Sequence, residues 1–551
     1  MRMEDPISHP LIEPAFYDLL IVGTGLPESI LAAGASAAGK SVLHIDPNAF
    51  YGSHFSSLSL HPFIEFLETQ QNIPPILPEH SSVTNSSPSD EYFSRSINSC
   101  PLYSEIEVCS FAPDALELSR SFSLDLSGPR VLLCADPMVD LMLKSGASHH
   151  IEFKSIDGNF VYIDGRLSPV PDSRESIFKD RSLGLTEKSQ LMRFFKLVQE
   201  HFSSNLGDGQ DEKRISEEDL EMPFYEFLGK HRLPPKIKSI ILYAIAMADY
   251  DQESPKDSNN LLRTKDGIEG LALYHASVGR FPNASGAFIY PIYGQGELPQ
   301  AFCRCAAVKG SLYVLRMQVT DLLISREGSH YKGVRLASGQ DICSHQLVVD
   351  PSIGVPSLVS TSMSEEFDGS NSGKANNDNV MKVARAVCIT SISVMADFRN
   401  LLIVFPPRSL HAKQLTSVRA IQLSNNMMVC PPGLFYLHFA TLCDSSLEGK
   451  ESLHAAMEAL LKPMISESSE NSLPEAQESK PMLLWRAMYT QELAKGVELD
   501  AVHSCSMPDG TLDYRELLKL TKKLFQKMFP QEELFPEVAA DAKDNEHVAP
   551  E

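Results

Sequence analysis

Residues 17–52 read YDLLIVGTGLPESILAAGASAAGKSVLHIDPNAFYG, and their reading decides the fold. Residues 17–22 are an apolar run of strand type. Gly23-Thr24-Gly25 is a glycine turn. Residues 27–38 read as a helix: Pro27 suits its first turn and Gly39 the position just past its end. Residues 41–45 form a second strand, which Asp46 closes. This is a β-α-β unit of the dinucleotide-binding kind, with an acidic residue about 20 positions after the turn. Residues 34–41, GASAAGKS, also satisfy the P-loop pattern. A P-loop needs a strand before it and a helix after it, and here that order is reversed.

The dinucleotide fingerprint is broken at its third glycine, where Glu28 stands. That glycine normally lets helix and strand pack closely. A carboxylate in the first helical turn is favoured by the helix dipole, at the end a pyrophosphate would need. Pro27 removes one of the N–H groups a phosphate would use. Gly23, Gly25, Glu28 and Asp46 therefore read as a vestigial cofactor motif, and no cofactor is expected. The alternative is a working flavin site with a degenerate motif.

The chain has 551 residues, enough for two or more domains, a net charge of −23 and a pI near 5.2. That balance argues against nucleic acid, and against an anionic membrane surface as a constant partner. The 10 cysteines are scattered, without CxxC pairs or metal-ligand spacing, so no metal is expected. They read as reduced thiols of a cytosolic protein. The polar start MRMEDPISHP carries no signal peptide, no apolar run reaches the roughly 18 residues of a membrane span, and the ending HVAPE offers no prenylation cysteine. Any lipid handled here belongs to another molecule. The expected setting is the cytosol, with transient visits to membranes.

The composition divides the chain. Residues 14–136 and 253–540 read as a discontinuous dinucleotide-type domain. Residues 137–252 read as an inserted helical domain, with Leu191, Phe194, Leu197, Val198 and Phe202 on one apolar stripe. That stripe is either core packing or the wall of a cavity between helices. Residues 72–100, 360–379 and 466–480 are polar insertions, and 541–551 an acidic tail. No GxSxG elbow, HExxH or kinase set is present, so no catalytic residues are assigned.

Residues 294–304, GQGELPQAFCR, are informative. Gly296 ends a turn and Pro299 suits the first turn of a helix, on which Gln300 and Arg304 share a face. Glu297 and Arg304 either present opposite charges to a partner or form an internal ion pair.

GTGLPES, VLHID and AFYG resemble the opening of the Rab escort protein and Rab GDP-dissociation inhibitor superfamily, which keeps a flavoprotein-like α/β fold without the flavin and carries a glutamate in place of the third glycine. The resemblance covers nearly the whole chain apart from the three polar insertions and the tail. It implies that GQGELPQAFCR and AFYG form a platform gripping a GDP-bound Rab GTPase, through Tyr51, Glu297, Gln300 and Arg304. Leu312 stands where the inhibitors have threonine, and Val314 where they have methionine; both are carried over as altered platform positions. SIFKDRSLGLTEKSQLMRFF, residues 176–195, is similar to the escort-protein segment that docks on the alpha subunit of Rab geranylgeranyltransferase. Phe178 matches the phenylalanine anchor, and Ser189 stands where animal escort proteins have arginine. Read without the resemblance, Phe178 is an ordinary helix-packing residue.

Length and insertions favour the escort branch, and Ser189 suggests a plant member. The resemblance then implies a non-catalytic carrier that binds unprenylated Rab·GDP, presents it to the catalytic alpha/beta heterodimer, shields the geranylgeranyl group in a slot between helices, and delivers the product to membranes. The rivals are a recycling inhibitor and a flavin-dependent amine oxidase.

Overall fold

The computed structural model describes residues 10–71, 92–112, 119–171, 184–204, 215–326, 330–355, 381–462, 480–493, 498–499 and 501–536. The opening unit folds as its pattern predicts. The strand Phe16–Val22 leads through the glycine turn into the helix Leu26–Ala37, and Val42–Asp46 returns parallel to the first strand. The helix before residues 34–41 and the strand after them exclude a P-loop.

Nine strands form the first sheet. Its path runs Leu312–Leu315, Val42–Asp46, Phe16–Val22, Asp341–Val349, Tyr331–Leu336, Val319–Ser325 and Tyr92–Ser96. The first four strands are parallel neighbours, and the rest of the path is antiparallel. One face of this sheet is covered by Leu26–Ala37, Pro137–Ser145, Glu297–Val308 and Arg515–Met528, which share a core with Leu19, Ile21 and Val42. The other face packs Leu20, Val22, Leu43 and Ile45 against Leu322, Ile324 and Val334. Strands buried on both faces read as continuous apolar runs, which is why residues 17–22 show no alternation.

A second, eight-stranded sheet stands beside the first. The helices Leu185–Ser204, Phe224–Lys230 and Thr264–Ser277 and the π-helical turn Ile240–Ile245 pack on one of its faces, through Phe194, Phe227, Ile241 and Leu271 against Leu402, Ile421 and Trp485. The helix Ser446–Leu460 covers the other face.

Two expectations are corrected. Residues 137–252 are not a helical domain throughout. The helix Pro137–Ser145 belongs to the first sheet's core. The strands Gly158–Ile163 and Arg166–Pro169 belong to the second sheet, paired across Asp164-Gly165 with both residues at positive φ. That Asp-Gly pair between apolar runs is a hairpin signal, which the neighbouring helical stripes outweighed in the sequence reading. The helical group instead runs from Leu185 to Ser277, taking in a helix assigned to the other domain. The insertion drawn at 72–100 is also too long. Residues 92–96 form the strand Tyr92–Ser96, paired with Val319–Ser325. Residues 360–379, 466–479 and 541–551 lie outside the described residues.

Candidate functional site

At the vestigial motif the glycine turn is filled from within. The Glu28 side chain folds back over the turn, and a Cβ built on Gly25 would lie 2.4 Å from Glu28 Oε2. Glu28 is buried beside Cys505 and Asp350. Burial, and then the charge of Asp350, hold its carboxyl well above the ordinary glutamate value. Asp46, which would bind a ribose, is occupied by the chain itself. Its Oδ2 accepts from Thr24 N at 2.8 Å, Thr24 Oγ1 at 2.6 Å and Ser53 Oγ at 3.1 Å, and its Oδ1 accepts from Asn48 N at 2.7 Å. These residues do not fit a dinucleotide: the pyrophosphate position and the ribose acceptor are both taken by protein atoms.

Those same bonds shape the AFYG loop. Tyr51 is half-buried, with its ring 6.0 Å from that of Tyr313 in an edge contact. Tyr313 sits on the sheet's edge strand opposite His44, and the two rings are 4.9 Å apart. His44 itself is buried and bonds the Gly23 carbonyl at 2.6 Å; burial pulls its pKa down to about 4, so the ring is neutral. Neither Tyr313 nor His44 was singled out from the sequence, since an aromatic within a strand gives no sign of which face it takes.

GQG seats the helix that follows it. A Cβ on Gly296 would lie 2.6 Å from Ser57 N, so only glycine allows this approach of the two backbones. Ser57 Oγ accepts from Gly296 N at 2.7 Å and donates to Asp125 at 2.6 Å, and Gln295 N donates to the same carboxylate at 2.9 Å. The helix Glu297–Val308 begins at this seat, buries Leu298, Ala301, Phe302 and Cys305, and turns its polar face outward. Gln300 Nε2 donates to Glu297 Oε1 at 3.1 Å. Burial raises the Glu297 carboxyl, against the opposing effects of Arg304 and Gln300. Arg304 is exposed and forms no ion pair among the described residues, so the internal ion-pair alternative is not what the fold uses.

Tyr51 lies on the loop that follows Val42–Asp46, and Glu297, Gln300 and Arg304 lie on the helix that leads to the edge strand Leu312–Leu315. Tyr51 comes close to Cys303, the neighbour of Arg304. Leu312 and Val314 are on the edge strand with Tyr313 between them. Alternation sends them to the opposite sheet face, where Val314 packs with the Leu43 and Ile45 cluster and Leu312 is 39% exposed. They do not join the other four. Ser189 is exposed on the helix Leu185–Ser204. Phe178 lies outside the described residues.

Comparison with known proteins gives the family and the fold. The GDP dissociation inhibitor family matches residues 13–81 and 89–470, and the chain belongs to that family. Within it, the chain is 50% identical to Rab escort protein 1 of Arabidopsis thaliana, over 98% of both chains. It is 25% identical to human Rab proteins geranylgeranyltransferase component A 1, over 95% of this chain and 92% of that one. Among solved structures it is similar to the Rab GDI of Plasmodium falciparum, with a TM-score of 0.65 and 17% identity over 94% of this chain and 99% of the other. An oxidoreductase from Methanosarcina mazei has the same fold, with a TM-score of 0.51 and 10% identity over 92% and 100% of the two chains. Flavoprotein-like architecture and family membership therefore coincide. Among the described residues, no helix is long and apolar enough to cross a membrane.

Proposed function

We propose that this chain acts as a Rab escort protein, the non-catalytic component A of a Rab geranylgeranyltransferase. It binds GDP-bound, unprenylated Rab GTPases at the Tyr51, Glu297, Gln300 and Arg304 edge. It presents the Rab C-terminus to the catalytic alpha/beta heterodimer, then shields the geranylgeranyl group and carries the product from cytosol to membrane. Full-length identity of 50% to an escort protein is the observation that carries this reading. The blocked cofactor motif supports it, because an oxidase would need the space that Glu28 fills. The exposed guanidinium of Arg304 supports it too: a fork of donors open to solvent suits acceptors on a partner's loops.

Sequestering an isoprenoid removes apolar area from water, worth about 25 cal/mol per Å². An apolar slot among the helices from Leu185 to Ser277 would supply that, and the altered residue Ser189 on the first of them belongs to the proposed transferase-docking surface, with Phe178. A recycling inhibitor is the second reading, favoured by likeness to an Arabidopsis guanosine nucleotide diphosphate dissociation inhibitor, which is 26% identical over 77% of this chain. The test is Rab prenylation in vitro by purified catalytic heterodimer, with and without this chain. Escort activity makes prenylation depend on it. Prenylation that proceeds equally without it, alongside extraction of prenylated Rab from membranes, establishes the inhibitor instead.

A further inference from the structure

We infer that Thr24, the middle residue of the retired glycine turn, is a positioning residue for the Rab platform, tying the Tyr51 loop and the Glu297–Val308 helix to one point. This rests on the Rab-binding reading above. In a working dinucleotide site the turn's N–H groups and the acidic residue face the cofactor. Here they face the platform.

Two branches leave the turn. In the first, Thr24 N donates to Asp46 Oδ2 at 2.8 Å and to Ser53 Oγ at 2.9 Å. The Thr24 hydroxyl donates to Asp46 at 2.6 Å and accepts from Gly52 N at 2.9 Å. Residues 52 and 53 directly follow Tyr51, and Asn48 N is held by the other Asp46 oxygen, so the loop is pinned on both sides of Tyr51. In the second branch, the Thr24 carbonyl accepts from Ser29 Oγ at 3.1 Å, and Ser29 Oγ lies 3.2 Å from Cys303 Sγ, one residue before Arg304. Thr24, Ser29 and Asp46 are each 0% exposed, so no solvent can replace a lost partner. Removing the hydroxyl leaves a buried carboxylate short of a donor and the Gly52 N–H without an acceptor. Valine keeps the shape of threonine and loses both bonds; serine keeps both.

The test combines amide hydrogen exchange on the free full-length chain with titration by Rab·GDP. Thr24→Val should speed exchange at Gly52 by at least about tenfold and weaken Rab·GDP binding about tenfold. Thr24→Ser should restore both, which a merely space-filling role would not require. If Thr24→Val does not fold, Ser53→Ala removes the hydroxyl between Thr24 N and Asp46 and should show the same pairing of faster loop exchange and weaker binding. Unchanged affinity in a variant whose loop exchange has risen overturns the positioning role, as does a wild-type Gly52 amide that exchanges like a free loop amide. A wild-type chain that ignores Rab·GDP overturns the Rab reading instead. The exchange measurement on free protein still decides whether Thr24 anchors the loop.

Discussion

His54 and Asp350 form a buried ion pair, Nε2 to Oδ1 3.0 Å, between the Tyr51 loop and the end of the strand Asp341–Val349. The other ring nitrogen of His54 meets the Tyr103 hydroxyl at 3.0 Å. Burial alone would lower the His54 pKa, but the Asp350 carboxylate overrides it and raises the value above 6.5. Burial pushes Asp350 up; the His54 charge and Ser352 outweigh it and hold Asp350 below 3.8.

The two shifts set a pH window. A raised histidine stabilises fully below 6.5, and that stability is lost as pH climbs through its folded-state value. A lowered aspartate stabilises above 3.8, and its contribution is lost as pH falls through its folded-state value. Between those limits Asp350→Asn should cost about 3–5 kcal/mol, since it strands a buried imidazolium. The gap to wild type should narrow on the alkaline side. Guanidinium unfolding midpoints of both proteins, taken from about pH 5 to about pH 9, check this. A gap that stays constant across that range removes the pair from the account.

Glu28, like His54, stabilises less as pH rises. Its folded-state value is raised, so its contribution to stability is full in acid and falls as pH rises above the unfolded glutamate value of 4.5. Glu28→Gln, which keeps the shape without the proton, should gain on wild type steadily as pH rises, in thermal melts at matched ionic strength. Protein from a flavin-replete host should be colourless. Glu28→Gly alone should remain so, because Asp46 stays bonded to Thr24 and Ser53. Stoichiometric flavin in the wild type would sink the blocked-site reading; flavin in Glu28→Gly alone would make Glu28 the whole block and remove Asp46 from it.

Arg304 separates partner binding from stability. Loss of one member of a charged, hydrogen-bonded pair at an interface costs roughly 2–5 kcal/mol. Arg304→Ala should therefore weaken Rab·GDP binding at least about tenfold in calorimetry. An exposed residue in no ion pair among the described residues should shift stability by no more than about 0.5 kcal/mol. Unchanged affinity with a lower melting temperature would return Arg304 to a structural role.

What the sequence made legible follows from where its rules are local. The turn at Gly23 and Gly25, Glu28 in the first helical turn and Asp46 at the strand end all lie within one β-α-β unit, and their meaning could be read from spacing. The helix carrying Glu297, Gln300 and Arg304 was equally readable, because Gly296 and Pro299 punctuate it. Leu312 and Val314 were not. Side chains alternate along a strand, so the tyrosine between them, not the flanking pair, turns toward Tyr51. The coupling of Thr24 to Gly52, and of Ser29 to Cys303, was invisible for a different reason. Those bonds join residues 28 and 274 positions apart, and no local pattern announces them. The strands Gly158–Ile163 and Arg166–Pro169 had a local signal in Asp164-Gly165, which the neighbouring helical stripes overrode.

Docking to the transferase is tested at Ser189. This exposed residue replaces the arginine of the animal escort proteins that its segment resembles. A guanidinium offers five donors in a fork matched to carboxylates; a serine hydroxyl offers one donor and no charge. The arginine implies an acidic surface on an animal transferase, so this chain should dock there weakly. Ser189→Arg should recover roughly 1–3 kcal/mol, the worth of a charge-assisted hydrogen bond. Its exposed position on the helix Leu185–Ser204 means that the substitution need disturb no packing. Phe178→Ala should abolish docking in either background, because an aromatic anchor carries much of an interface's energy. A pull-down titration of wild type and both variants against an animal transferase reads all three. If Ser189→Arg gains nothing and Phe178→Ala still binds, this segment is not the docking surface, and the recycling-inhibitor reading becomes the stronger one.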